Sequence, residues 1–348
     1  MLAFRIARQH LGERTSDAAT AAFAGLQDTP PGTALMALAA RADVGPEALD
    51  ELVVPQSLRG SPMAVAPEDL ALFTAGREPP DEKSARVLIG NAWKELDGIT
   101  AMEALDRVGD AVADALADGP LVKDDFHQAL RERLPAELLW WCKGCGSHHV
   151  HPSLWRATGV RGVLAVVGRE GRSPLFGIPP AAAPVADPGA ALARRYLAVH
   201  GPATPHLFSA WAGIAPSHGR QLWDRAGELV PAGGKWLLAE DAAMDAPPPR
   251  GARLLPNLDP VASARDREVL VPDEATRKRI WASLGGPGMA LVDGEVAGLW
   301  RPRKKGKRLV VELQPLRTLT GDETDALGAE AERIAPVRGA ETGDLALH

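Results

Sequence analysis

The stretch Thr204-Pro205-His206-Leu207-Phe208-Ser209-Ala210-Trp211, continued by Gly213-Ile214-Ala215-Pro216-Ser217-His218-Gly219-Arg220-Gln221-Leu222-Trp223-Asp224-Arg225, decides the fold reading. Proline stands twice where a first helical residue has no amide hydrogen to satisfy, and Asp187-Pro188 upstream repeats the signal. The last helix, read as Pro216 to Leu229, puts Leu222, Ala226 and Leu229 on one side. Ser217, His218, Arg220, Gln221, Asp224 and Arg225 fall mostly on the other. A recognition helix of a helix-turn-helix has this form, as does any solvated amphipathic helix. Lys235 to Ala239 then reads as a wing strand, and Ala246-Pro247-Pro248-Pro249 as a turn or linker.

The same grammar of two or three helices followed by a strand pair occurs twice before. In the first pass Phe4 to Leu11, Asp17 to Gly25 and Thr33 to Arg41 have helical spacing, with Leu49 to Val54 and Met63 to Val65 as a wing about Arg59-Gly60. The second has helices near Glu82 to Glu95, Met102 to Leu116, Lys123 to Arg133 and Ser153 to Thr158. Strands Val163 to Val167 and Leu175 to Ile178 follow, and then a Pro/Ala linker from Ile178 to Pro188. The expected fold is α+β: tandem winged-helix (helix-turn-helix) units over residues 1–79, 80–186 and 187–250, and a C-terminal β-rich domain over 251–348.

That last segment holds the densest charge. Arg301-Pro302-Arg303-Lys304-Lys305-Gly306-Lys307-Arg308 places six basic side chains between the apolar strands Leu291 to Trp300 and Leu309 to Leu313, with Asp293-Gly294 as the preceding turn. On a chain of net charge −6 this local basic tip suits duplex phosphates, or serves only as a solvated hairpin end. An acidic helix from Gly321 to about Ile334 ends the pattern. No apolar stretch approaches the ~20 residues that span a bilayer, and the N-terminal residues lack a signal-peptide core, so a cytoplasmic location is expected; the chain is also expected to be a monomer.

Cys142 and Cys145 are the chain's two cysteines, too few for a disulfide scaffold. They open Cys142-Lys143-Gly144-Cys145-Gly146-Ser147-His148-His149-Val150-His151, in which two thiolates with His148 and His149 have the donor types of a structural zinc site. The other reading makes the cysteines small buried residues and lets one histidine hydrogen-bond the backbone before the Pro152 helix.

Wording from Leu254 onward (Leu-Leu-Pro-Asn-Leu-Asp-Pro, Arg265-Asp266-Arg267-Glu268, Pro287-Gly288, Val292-Asp293-Gly294, Gly298-Leu299-Trp300-Arg301) resembles the bacterial winged-helix DNA-binding family that includes the AlkZ-like DNA glycosylases. Arg8-Gln9-His10-Leu11, Gly25-Leu26-Gln27 and Leu58-Arg59-Gly60 extend the likeness. The resemblance implies tandem winged helices around a concave basic face, a double-stranded DNA partner, and excision of alkylated or bulky-adduct bases with no metal or organic cofactor in catalysis. The family's signature is glutamine, a spacer, then glutamine or aspartate. The matching residues are Gln27, Asp28 and Thr29, so the third position departs from the pattern, as does Ser61-Pro62-Met63 where active members carry a histidine.

Read on their own chemistry, Gln27 can orient a water, and Asp28 or Thr29 can hold it or face a developing sugar cation. The same residues also make a plain helix-to-helix connection, with Asp28 or Thr29 as a cap. Expected DNA contacts are Arg59 and Met63 in the first wing, His218, Arg220, Gln221 and Arg225 on the recognition helix, and Arg301, Arg303, Lys304, Lys305, Lys307 and Arg308 at the tip. Two other functions stay open: a noncatalytic DNA-binding protein with a degenerate motif, and a genotoxin-sequestering protein.

Overall fold

The computed structural model describes residues 1–283 and 285–348. They form two compact units interleaved along the chain. One comprises Met1–Leu52, Arg195–Thr204 and Glu228–His348, the other Val53–Arg194 and Pro205–Gly227. Helices and sheets are mixed in both, as an α+β fold requires. No helix among the described residues is long and apolar enough to cross a membrane.

The first unit is organised by a five-stranded sheet in the order Ala252–Leu255, Gly288–Val292, Glu295–Lys305, Arg308–Pro315, Thr342–Leu347. The first four strands are antiparallel neighbours. The last runs parallel to Arg308–Pro315, and the Gly321–Ile334 helix supplies the crossover that a parallel pair needs. Thr320 and Glu323 close a capping box at the start of that helix. Leu327, Ala331 and Ile334 bury its inner face with Leu254, Trp300, Leu309, Val311 and Leu313, and Met36 of the Thr33–Arg41 helix joins the same core. A second core gathers Ile6, Leu11, Ala40, Val261, Leu291 and Leu299. Asp293 and Gly294 turn the chain with φ of 48° and 81°, and Gly306 turns the basic hairpin with φ of 59°.

In the second unit, the Ala101–Leu116 helix buries Leu105, Val108, Val112 and Leu116 at three- and four-residue spacing. Phe126 and Leu130 of Lys123–Arg133, Leu154 and Trp155 of Pro152–Ala157, and Phe176 complete that core. A three-stranded sheet, Leu121–Val122, Ser173–Gly177 and Ala165–Glu170 in order, closes one side. Helices Pro205–Ala212 and Pro216–Trp223 approach closely because position 219 has no side chain: a β-carbon at Gly219 would lie 2.0 Å from Ser209 Oγ.

Several expected elements differ: the helix expected over Asp17 to Gly25 is only Ala18–Ala21, and that expected over Glu82 to Glu95 stops at Leu88, with a 3₁₀ turn Gly90–Glu95 after it. The Pro216 helix stops at Trp223, where a tight turn leads to Gly227 at φ 121°, and Leu229–Ala232 instead forms a strand paired with Lys235–Leu238. The first helix is Leu2–Arg8, ended by His10 at φ 53° with the Leu11 amide bonded to the Ile6 carbonyl. Pro46–Glu51 is a 3₁₀ helix rather than a strand, so the wing about Arg59-Gly60 is held by the Val53–Val65 and Gln56–Pro62 bridges.

Candidate active site and nucleic-acid interface

Gln27 ends the short strand Leu26–Gln27, and both Gln27 and Asp28 are buried. The chain then makes a tight corner to the Thr33–Arg41 helix. Asp28 Oδ1 accepts from the Gly32 amide at 2.6 Å and the Ala34 amide at 3.2 Å, which satisfies two of the helix's orphan donors and puts a negative charge at its positive end. Thr33 Oγ1 lies within hydrogen-bond distance of the Gln27 carbonyl, 2.9 Å, and the Pro30 carbonyl, 2.7 Å. Gly32 takes φ 86°, a conformation that strains any side chain, so the corner is built for glycine here. Asp28 therefore does cap the helix, and Thr29 is half-buried beside it. The far end of the same helix is fixed by Arg41, whose guanidinium meets the Asp259 carboxylate with two bonds of 2.7 Å and also donates to Gln9 Oε1 at 3.1 Å. The result is a buried amide and carboxylate on a corner clamped at both ends of its helix.

Two of the expected DNA contacts are buried. Met63 is 4% exposed and His218 5%, so neither projects as a groove contact in this structure. His218 lies with Leu222 and Trp223 on the inner side of its helix, and burial lowers its pKa despite the opposing charge of Asp81. Arg220 is exposed but paired with Asp224, and Arg225 with Asp187. Gln221 is exposed.

Arg59, at φ 54°, donates to the Trp211 carbonyl and lines a cavity of about 410 Å³ with Arg77, Arg156, Ser153 and Ser209, and none of the described residues lining it is acidic. Arg77 donates to the Ser57 and Ala212 carbonyls at 2.6 and 2.8 Å. Burial and the neighbouring charge of Arg59 bring its pKa down to about 9, which leaves it cationic at neutral pH. Burial likewise lowers Arg156. Three guanidiniums lining one cavity make its wall electropositive. Arg77 and Arg156 were not singled out from sequence, because nothing in their local spacing marks them; only the fold brings them to Arg59.

The basic hairpin is present, with Glu295–Lys305 and Arg308–Pro315 paired from Gly298–Pro315 out to Lys305–Arg308. Its charge is partly answered locally: Arg303 pairs with Glu312, Lys307 with Glu341 and Arg308 with Asp344, while Arg301 donates to the Gly285 carbonyl at 3.0 Å. Among the described residues, Lys304 and Lys305 have no ion-pair partner and are exposed.

The cysteine and histidine run forms a second, smaller hairpin, Trp140–Cys142 with Ser147–His149. Cross-strand pairing puts Cys142, Ser147, Trp140 and His149 on one face, and Trp141 with His148 on the other. The donor atoms of Cys142, Cys145 and His149 lie within 4.8 Å of one another. His148 is excluded from that cluster by strand alternation, a signal present in the sequence once the strand is recognised, and its ring packs on Trp141 instead. His151 Nδ1 accepts from the Ser153 amide at 3.2 Å and so caps the Pro152–Ala157 helix.

Comparison with known proteins agrees with this architecture. The solved structure of Streptomyces sahachiroi DNA glycosylase AlkZ is similar in fold, with a TM-score of 0.74 at 20% identity, covering 100% of this chain and 98% of that one. No curated protein matches the chain in sequence. A family model described as DNA glycosylase AlkZ-like matches residues 20–337. That span takes in the Gln27 corner, the arginine-lined cavity and the basic hairpin, and the chain belongs to the AlkZ-like DNA glycosylase family.

Proposed function

We propose that the protein is a monofunctional DNA glycosylase that excises alkylated or bulky-adduct purines from double-stranded DNA, in repair or in self-resistance to a genotoxin. The observation that carries the reading is the buried Gln27-Asp28 corner, clamped by Asp28 on the amides of Gly32 and Ala34 and by Arg41 on Asp259. Catalysis by preorganised dipoles needs such rigidity, because the groups must not reorganise as charge develops.

A purine alkylated at N7 is already cationic. Its glycosidic bond breaks with the electron pair going to the base, and no acid is needed to protonate the leaving group. The sugar becomes oxocarbenium-like, water adds at its anomeric carbon and releases a proton, and an abasic site remains. Gln27 is assigned to orient that water through its amide oxygen. The Asp28 carboxylate supplies the negative charge that the sugar cation needs, and Thr29 a hydroxyl in place of the family's second amide or carboxylate. The target nucleotide must leave the stack to reach a buried corner. The helix and hairpin series supports a winged-helix reading, with Arg59, Gln221, Lys304 and Lys305 as the DNA contacts.

A second reading, a DNA-binding protein without base excision, is favoured by one observation: Oδ1 of Asp28 is already engaged as a helix cap. Single-turnover incubation with a duplex carrying one 7-methylguanine, followed by alkaline cleavage, separates the two. Strand scission at the lesion is expected. Intact strands with duplex binding retained, for this lesion and a bulkier adduct alike, would leave the noncatalytic reading.

A further inference from the structure

We infer that Cys142, Cys145, His149 and His127 bind one zinc ion, which ties the Trp140–His149 hairpin to the Lys123–Arg133 helix. Three donors are already gathered: the two sulfurs and a ring nitrogen of His149 lie within 4.8 Å of one another. Tetrahedral zinc, with Zn–S of about 2.3 Å and Zn–N of about 2.0–2.1 Å, sets its donors roughly 3.3–3.8 Å apart, so only small side-chain rotations are needed. The Cys-x-x-Cys turn that such a site uses is formed, with the amides of Cys145 and Gly146 both bonded to the Cys142 carbonyl.

The tautomer of His149 also fits. Its Nδ1 lies 2.9 Å from the Val150 carbonyl, and a carbonyl only accepts, so Nδ1 carries the proton and Nε2 keeps its lone pair for a metal. The remaining position falls to the helix, where His127 stands just outside the 4.8 Å cluster and has to turn its ring toward it. His127 lines the same cavity of about 400 Å³ as Cys142, Cys145 and His149, and its ring centroid is 5.8 Å from that of His149. Its Nδ1 is buried with no hydrogen-bond partner, a cost that ligation would remove. Lys123, Arg131 and Arg156 line the cavity too, against one carboxylate, Asp124, and offset the charge of two thiolates. Thiolate and imidazole donors in this number select zinc over magnesium or calcium.

The pair of histidines gives the test an internal control, since His148 faces away on the same strand as His149. Protein purified without a histidine tag from zinc-supplemented growth is expected to hold close to one zinc per chain. His148→Ala should hold the same amount, and Cys145→Ser should lose it. His127→Ala should lower the chelator concentration that removes half the metal by about tenfold or more. Cobalt added to the metal-stripped wild type should produce the intense visible absorption of tetrahedral sulfur and nitrogen coordination, a readout independent of variant folding. Folded wild type that holds no zinc and gives no such absorption overturns the site. Unchanged affinity in His127→Ala overturns the fourth ligand.

Discussion

Arg41 and Asp259, 218 residues apart in sequence, form a two-pronged ion pair with both side chains fully buried. The pair joins the C-terminal end of the helix that Asp28 caps to the Leu-Leu-Pro-Asn-Leu-Asp-Pro segment, whose Asp259 also accepts from the Val261 amide at 3.0 Å. Removing one partner leaves an uncompensated buried charge, which costs about 3–5 kcal/mol. Asp259→Ala should therefore lower unfolding free energy by that amount in denaturant titration. A loss under about 1 kcal/mol would mean that the pair does not clamp the helix.

Asp28 has two separable tasks. Asp28→Ala removes the cap and should cost about 0.5–2 kcal/mol of stability, whereas Asp28→Asn keeps an oxygen for the Gly32 and Ala34 amides and should stay close to wild type. If the charge faces the sugar cation, Asn should still slow base release while leaving stability intact. Equal rates for Asn and wild type would confine Asp28 to capping.

Much of the architecture was legible because strong local signals agree with tertiary packing. The Thr33–Arg41, Lys123–Arg133 and Gly321–Ile334 helices carry regular apolar spacing, and the Asp293-Gly294 turn between apolar runs marks its hairpin. Leu229 looked helical because periodicity ignores Gly227, which breaks the chain before it. The Thr342–Leu347 strand was missed, since its parallel partner lies across a helix. The return of residues 195–204 to the first unit has no local signature at all. At the site, the Gln27 corner came from resemblance, and the capping role of Asp28 from helix-start chemistry. The convergence of Arg59, Arg77 and Arg156, and of His127 with the cysteine hairpin, depends on contacts between distant segments that spacing cannot show.

At the basic tip, Lys304 and Lys305 should contribute more to DNA binding than Lys307, whose charge is shared with Glu341. Replacing Lys304 and Lys305 together by alanine should weaken duplex binding regardless of sequence. It should also flatten the plot of log affinity against log salt by about 0.9 per lost phosphate contact. Fluorescence anisotropy over a salt series measures both, and an unchanged slope would take the hairpin out of the interface.

Acid stability should report on Asp266. Burial opposes its ionisation, but hydrogen bonds and charges from Arg5 and Lys235 outweigh this and hold its carboxyl below the usual range. With the folded pKa below the unfolded value of about 3.9, the stabilisation is present above that pH and is lost as pH falls through the folded pKa. Asp266→Asn should be less stable than wild type at neutral pH, and the gap should close below about pH 3.9. A gap that is constant with pH would contradict the assignment.

The role of Gln27 in base excision is tested by comparing wild type with Gln27→Ala in single-turnover release of 7-methylguanine, with duplex affinity measured on the same preparations. Release by wild type is expected, with a rate lower by about a hundredfold or more in the variant, as for loss of one preorganised polar group, and equal affinities. Release at the same rate by both proteins would remove Gln27 from the chemistry and contradict the mechanism.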